Sequence, residues 1–562
     1  SSFVSLTLVP AAASRLPADY AEHGFRRFVV RLGTWLNGFY SRSLTKTLDH
    51  PWVTVAVAVI FAGGMFSLLP SVDRELLPEE DRGIIQIWAS GPDGVGLGYI
   101  DRQTDKVEDI VRPIVENGEA TALLTLIGAY DPNRSITTLP LADWHDRERS
   151  QQEIIASLEE PLADIPGAFV SVRSANSLNL RRAGGGIEVA LVGNDYDTIF
   201  EAAKTFVAAV EDRLTSVRQP RLDYDPTQPQ LSVRIDRRRA ADLGIDLANL
   251  GATMRAMVNG DELIDLNVDD EAVPILLESS SGEINDPSDL VNLYISTSRG
   301  DLVPLSSIVT ITEEGVAAEL GRVAQRRAIE VDMTLASAAT LADAVDDLKA
   351  VADDVLPSNI SMVLRGEAAE LEETSRDVLL TYAIALAVIF LVLAAQFEGF
   401  SSAVVVTLIV PFGLAAAVVA LVLTGTSINI YSQIGLVLLI GLMAKNSVLL
   451  VEFADQLRDL GRDLRDAVET GAAVRLRPVA MTMVSTVLGG LPLILSSGAG
   501  AEARASIGWV VFGGLGLAAV FTLYLTPSLY ILIARYSDAR AHEAERLEQE
   551  LVEARQFAED AR

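Results

Sequence analysis

Cysteine is absent from this chain, and histidine nearly so, with four in 562 residues. The first absence excludes a disulfide framework, a thiol nucleophile and any thiolate-held metal. The histidines His23, His50, His145 and His542 are scattered and match no ligand spacing. There is no Walker phosphate loop, no G-x-S-x-G elbow and no H-E-x-x-H pair. Without a nucleotide site, any active transport by this chain has to draw on an ion gradient. Gly184–Gly185–Gly186 follows Arg181–Arg182, but lacks the preceding strand and following helix of an anion-binding loop and reads as a turn. A basic excess is missing too: the net charge is −31, which argues against a nucleic-acid partner. Met254 and Met257 could meet a soft metal, yet their helical spacing is explained more simply by core packing.

Long hydrophobic runs are abundant. The 49% hydrophobic and 22% charged content averages two populations. Charge-poor runs at 52–70, 378–395, 403–423, 430–453, 478–495 and 507–533 approach the roughly 20 residues a spanning helix needs. Residues 71–377 read as water-exposed protein. Ser1–Ala13 has neither an initiator Met nor the basic start of a signal peptide, so 1–14 reads as the end of a span already under way. The chain is expected to be part of something longer.

Arginines set the orientation. The amphipathic segment 15–50, the 454–477 loop and the tail 536–562 are basic-rich and fall on one side if each span crosses once. Segment 15–50 suits both a helix on an inner-leaflet surface and one packed on its own protein. The block between spans then lies outside, periplasmic in a Gram-negative inner membrane. There, alternating strands at 84–90, 187–193, 231–236 and 328–334 sit beside helical stretches at 98–117, 197–214 and 340–355. That rhythm predicts α+β sandwiches of split-βαβ, ferredoxin-like type.

One span carries a cation in its middle: Ile434–Phe453, IGLVLLIGLMAKNSVLLVEF, with Lys445 and Asn446. An ammonium at this depth costs about 2.5–3.5 kcal/mol on insertion scales and marks a functional position by default. Glu452, seven residues on, lies about 10 Å along the same face. Arg475 and Thr482 share a face of the next span, although arginines there also serve as interfacial anchors and a threonine can bond its own helix. No carboxylate falls within a span core, so the counter-charge of Lys445 is expected elsewhere.

The runs IGLVLLIGLMAKNSVLLVEFA, AVRLRPVAMT (473–482), SSGAGAEARASIG (496–508), LLPEEDRG (76–83) and LAAQFEGF (393–400) resemble the resistance–nodulation–division transporters, in their hydrophobe/amphiphile multidrug efflux branch. The resemblance implies a polytopic α-helical membrane protein and, here, its C-terminal half. Residues 51–70 would be one span, 71–221 and 311–370 periplasmic porter subdomains, 222–310 a docking domain and 371–535 five further spans. It implies a secondary transporter, not an enzyme, in the inner membrane, exchanging amphiphilic small molecules for protons without a cofactor or metal. Partners would be two further copies in a homotrimer, a periplasmic adaptor and an outer-membrane channel, with no nucleic acid. Lys445, Asn446, Arg475 and Thr482 match the proton relay, whose aspartate pair belongs to the other half. Gln86, Trp88, Ser90, Leu124, Leu126, Tyr130, Ile187, Val189, Leu191 and Arg218 match the substrate path. The family's phenylalanine-rich cage is replaced by Leu, Ala and Thr, and the 128–138 loop is short, which weakens aromatic stacking.

Overall fold

The computed structural model describes residues 2–15, 25–129, 131–176, 186–277, 289–290, 293–336 and 339–536. The proposed tail, Tyr130, most of the triple-glycine turn and the first residues of the amphipathic segment lie outside them. Among the described residues, six helices are long and apolar enough to cross a membrane.

The chain opens with α1 (Ser2–Ala13), α2 (Phe25–Asp49) and α3 (Pro51–Phe66). Helix α2 buries Tyr40, Leu44 and Leu48 and leaves Trp35 and Phe39 exposed, so it does pack on its own protein. After α3 the chain meets the segment leading into the central span: Ile428 N–H donates to Asp73 O at 2.8 Å, and Glu75 N–H to Ile428 O at 3.1 Å.

The first soluble layer runs β1 (Ile84–Ser90), α4 (Leu97–Glu116), β2 (Leu124–Ile127), β3 (Arg134–Pro140), α5 (Gln151–Ala163) and β4 (Phe169–Ser174). Its sheet is antiparallel in the order β2-β3-β1-β4. Alternation decides the faces. Ile85, Ile87 and Ala89 turn into a core with Ile100, Val107 and Ile154 of the helices, while Gln86, Trp88 and Ser90 turn the other way. Helix α5 begins with a capping box between Ser150 and Glu153.

The second layer repeats this plan around an insertion. It starts with β5 (Ile187–Gly193), α6 (Tyr196–Arg213) and β6 (Val217–Leu222). The insertion holds β7 (Gln228–Ile235), α7 (Arg237–Asp242), α8 (Leu247–Asn259), β8 (Asp261–Val268), β9 (Glu271–Leu277), β10 (Tyr294–Ser296), β11 (Leu302–Pro304) and β12 (Val309–Val316). Strand β12 pairs with β7 from Val309↔Ile235 to Val316↔Gln228, so 311–316 closes the insertion instead of opening the next layer. Met254 packs on the insertion's core. Then β13 (Arg322–Val323), β14 (Arg326–Leu335), α9 (Leu341–Val355) and β15 (Ser361–Arg365) complete the layer. Strand β14 lies between β5 and β6, and β15 flanks β5. The order β6-β14-β5-β15 is that of the first sheet.

The remaining chain is helical: α10 (Gly366–Phe397), α11 (Phe400–Thr407), α12 (Val410–Thr424), α13 (Ile430–Asp459), α14 (Leu464–Gly489), α15 (Leu491–Ile494) and α16 (Ala501–Ala534). Helix α10 continues directly from β15. Pro411, in the first turn of α12, separates it from α11. Helix α12 is central, with Ala415, Ala416 and Ala417 fully buried. Glycines on its neighbours permit the close approach typical of membrane helices: a Cβ on Gly514 would lie 3.1 Å from that of Ala417.

Candidate functional site

Asn429 starts α13 with a capping box to Ser432, and the helix then runs unbroken past Lys445. At mid-helix its faces diverge. Asn446 and Ser447 are buried, whereas Lys445 is exposed on the outer side of the bundle. Its ammonium has no hydrogen bond or ion pair among the described residues. Around it α13 and α14 present an apolar surface with Ile434, Leu438, Val474, Met481 and Val484 exposed.

Of the four expected relay residues, the structure brings two directly together: Thr482 Oγ1 lies 3.5 Å from Asn446 Oδ1. Thr482 also donates to Val479 O of its own helix at 2.9 Å, the local bond expected of a helical threonine. Arg475 lies with its guanidinium 4.5 Å above the Phe453 ring, an arrangement that favours a desolvated cation. Its Nε is buried without a hydrogen-bond partner. Lys445 stands apart, turned outward.

Gln86, Trp88 and Ser90 share the outer face of the first sheet with Leu124 and Leu126. Pairing sets Leu124, Thr138 and Gln86 in one row and Leu126, Ile136 and Trp88 in the next. Both leucines are about half exposed. Sequence reasoning passed over the arginines here. Arg173 on β4 lies 5.8 Å from the Trp88 ring, and Arg221 on β6 reaches from the second layer to donate to Ser90 Oγ at 2.6 Å and to cover the Phe169 ring at 5.3 Å. Arg221 thus bridges the layers. Arg218 is exposed, and its carbonyl accepts from Thr334 Oγ1 at 3.0 Å.

Ile187, Val189 and Leu191, also expected on the substrate path, lie in the interior of the second layer. All three are 0% exposed beneath α6 and α9. Strand alternation aims them into the helical layer.

A further polar cluster lies where α13 leaves the apolar run. Asp455 is buried and accepts from Ser402 Oγ of α11 at 2.8 Å and from the Tyr530 hydroxyl of α16. Arg458 donates to the Tyr530 oxygen at 3.3 Å. An aspartate just past an apolar run reads in sequence as a solvated helix end. Its burial comes from two helices distant in the chain.

Six helices long and apolar enough to cross a membrane among the described residues, with two soluble layers of one topology, fit a polytopic membrane protein with a large soluble region. The AcrB/AcrD/AcrF family of resistance–nodulation–division permeases matches residues 1–534, and the chain belongs to that family. An uncharacterized transporter of Haemophilus influenzae is 29% identical over 544 residues, which cover 95% of this chain and 52% of that protein. The crystal structure of a heavy metal efflux pump superposes with a TM-score of 0.74 at 24% identity, over 89% of this chain and 53% of that one. The chain thus spans about half the length of both, and the second likeness speaks to fold alone.

Proposed function

We propose that this chain is the C-terminal half of an inner-membrane permease that exports hydrophobic or amphiphilic compounds in exchange for protons. In this reading it works as a homotrimer joined to a periplasmic adaptor and an outer-membrane channel. The two repeated layers are the porter subdomains, and the insertion between β6 and β13 is the docking domain. The observation that carries the proposal is Lys445, a mid-span ammonium on an exposed apolar face of a chain that covers half of its relatives. A cation at that depth needs a counter-charge, and the other half of the permease would supply it as the family's aspartate pair.

Protonation of that pair would remove the attraction on Lys445 and let α13 and α14 shift, with Asn446 and Thr482 following. Helix α10, continuous with β15, would pass the movement to the second layer and alter its distance from the first. Arg221 and Arg173 would then flank an amphiphile lying on the Trp88 face.

Lys445→Ala and Lys445→Arg in the full-length protein test this. Efflux of an amphiphilic dye should fall at least about tenfold in Lys445→Ala, with membrane abundance and trimer content unchanged. Unaltered efflux would remove Lys445 from the mechanism. Dye efflux absent in the wild type, together with protection against silver, copper or zinc salts, would favour a metal cargo instead. No export of any cargo, lipid included, would favour an assembly factor or receptor.

A further inference from the structure

The buried polar groups between α13 and α16 are not used by the relay described above. Ser447, Thr522, Thr526 and Ser528 are all within 1% of full burial. Ser447 and Thr526 approach to 3.5 Å across the two helices. Thr526 and Tyr530 stand one turn apart on α16, and Tyr530 donates to Asp455. Ser447 is adjacent to Asn446 of the mid-span site, and Asp455 follows eight residues later, about 12 Å along the helix. By the positive-inside rule the arginine-rich stretch 454–477 would set that end at the cytoplasmic surface.

We propose that Asp455 is a second proton-carrying group, and that the hydroxyl seam between α13 and α16 connects the mid-span site with it and so with the cytoplasm. The proposal rests on the proton-driven reading and extends it to a residue outside the Lys445 face. Asp455 is suited to the task by its neighbours. Two of its partners are hydroxyls, groups that accept as readily as they donate. Arg458 donates to the Tyr530 oxygen, which keeps the phenol hydrogen aimed at Asp455, so Ser402 is the hydroxyl free to reverse when the carboxylate takes a proton. One O–H bond forms on arrival and the same bond breaks on release. No other reactant is needed. From other helices Asp455 meets the Tyr530 hydroxyl of α16 and Ser402 of α11, a helix with no charged residue. On α13 itself Glu452, Arg458 and Asp459 lie within a turn.

The test uses purified full-length protein and pH-resolved infrared difference spectroscopy, with proton uptake into proteoliposomes loaded with rhodamine 6G. A carboxylic C=O band should titrate in the wild type, shift in Tyr530→Phe and vanish in Asp455→Asn. Dye-coupled proton movement should drop at least about tenfold in Asp455→Asn and return in part in Asp455→Glu, with dye binding retained. Identical bands in wild type and Asp455→Asn, or undiminished proton movement, would overturn the proposal. Should Asp455→Asn fail to assemble, a band left in place by Tyr530→Phe overturns it equally. Wild-type protein that moves no protons would sink the export reading instead, and the infrared band still decides whether Asp455 takes a proton.

Discussion

Asp81 shows how one carboxylate can join soluble and membrane regions. It accepts from the Trp144 indole at 3.0 Å, from the backbone N–H groups of Gly83 at 3.1 Å and Gln151 at 3.0 Å, and from Arg147. Trp144 in turn packs against Gly498 in the loop before α16, whose positive φ is a backbone conformation that favours glycine. Burial pushes the Asp81 carboxyl up, but the Arg147 guanidinium and the backbone donors outweigh it and hold the group below the ordinary carboxylate range. Since an unfolded aspartate titrates near about 3.9, the stabilisation is complete above that pH and is lost as pH falls through the lower folded value. Asp81→Asn should therefore destabilise the protein by about 3 kcal/mol near neutrality, because it strands the buried Arg147. Thermal unfolding of both proteins from pH 7 to pH 3 checks this: the gap should narrow with acidification, and a constant gap would mean the charge is not the cause. In sequence Asp81 is legible only as part of LLPEEDRG. Apart from Gly83 its partners lie 63 to 70 residues away, and no local pattern announces them.

Elements were more legible than contacts. Strand β1 and strand β5 occupy the residues that alternation marks, and α4, α6 and α9 fall within a residue of their expected limits at either end. Hydropathy locates hydrocarbon, however, and not helix: α10 begins at Gly366 and α14 at Leu464, well ahead of their apolar runs at 378 and 478. Charged helix formers such as Glu370 and Glu372 continue the hydrogen-bonded ladder beyond the bilayer. The contact of α16 with α12 depends on residues that periodicity scores as neutral. A Cβ on Gly513 would fall 2.3 Å from the Ala420 Cβ and 3.5 Å from its Cα. Gly513→Val should push the two helices apart and cost about 1–3 kcal/mol. Gly516→Ala, whose Cβ meets nothing within 4 Å, is the control. A lower melting temperature for Gly513→Val alone is expected in detergent, and equal melting would show that the helices can separate freely.

At the scale of the molecule, the two soluble layers share one strand order, and only an insertion hides the repeat in sequence. The β6–β14 pairing spans that insertion, so neither alternation nor turn signals could reveal it. The candidate relay residues were legible as residue types, because a lysine inside an apolar run has few explanations. Their geometry was not, since the direction of Lys445 depends on which helix faces are already occupied. The bundle fills one side of α13 with Leu439, Ile440 and Met443, and the other side is left apolar apart from that ammonium. Lipid alone is a poor solvent for such a face, whereas a neighbouring helix set bearing carboxylates would satisfy it. This predicts different neighbours for two exposed surfaces. In the full-length protein, a photoreactive residue at Leu438 or Met481 should cross-link within the polypeptide to the other half of the permease. One at Ile60, exposed on α3, should label lipid. Lipid labelling at all three positions would place Lys445 on an outer wall and leave its charge unmatched by the other half, whereas internal cross-links at 438 and 481 would put the counter-charge within reach of α13.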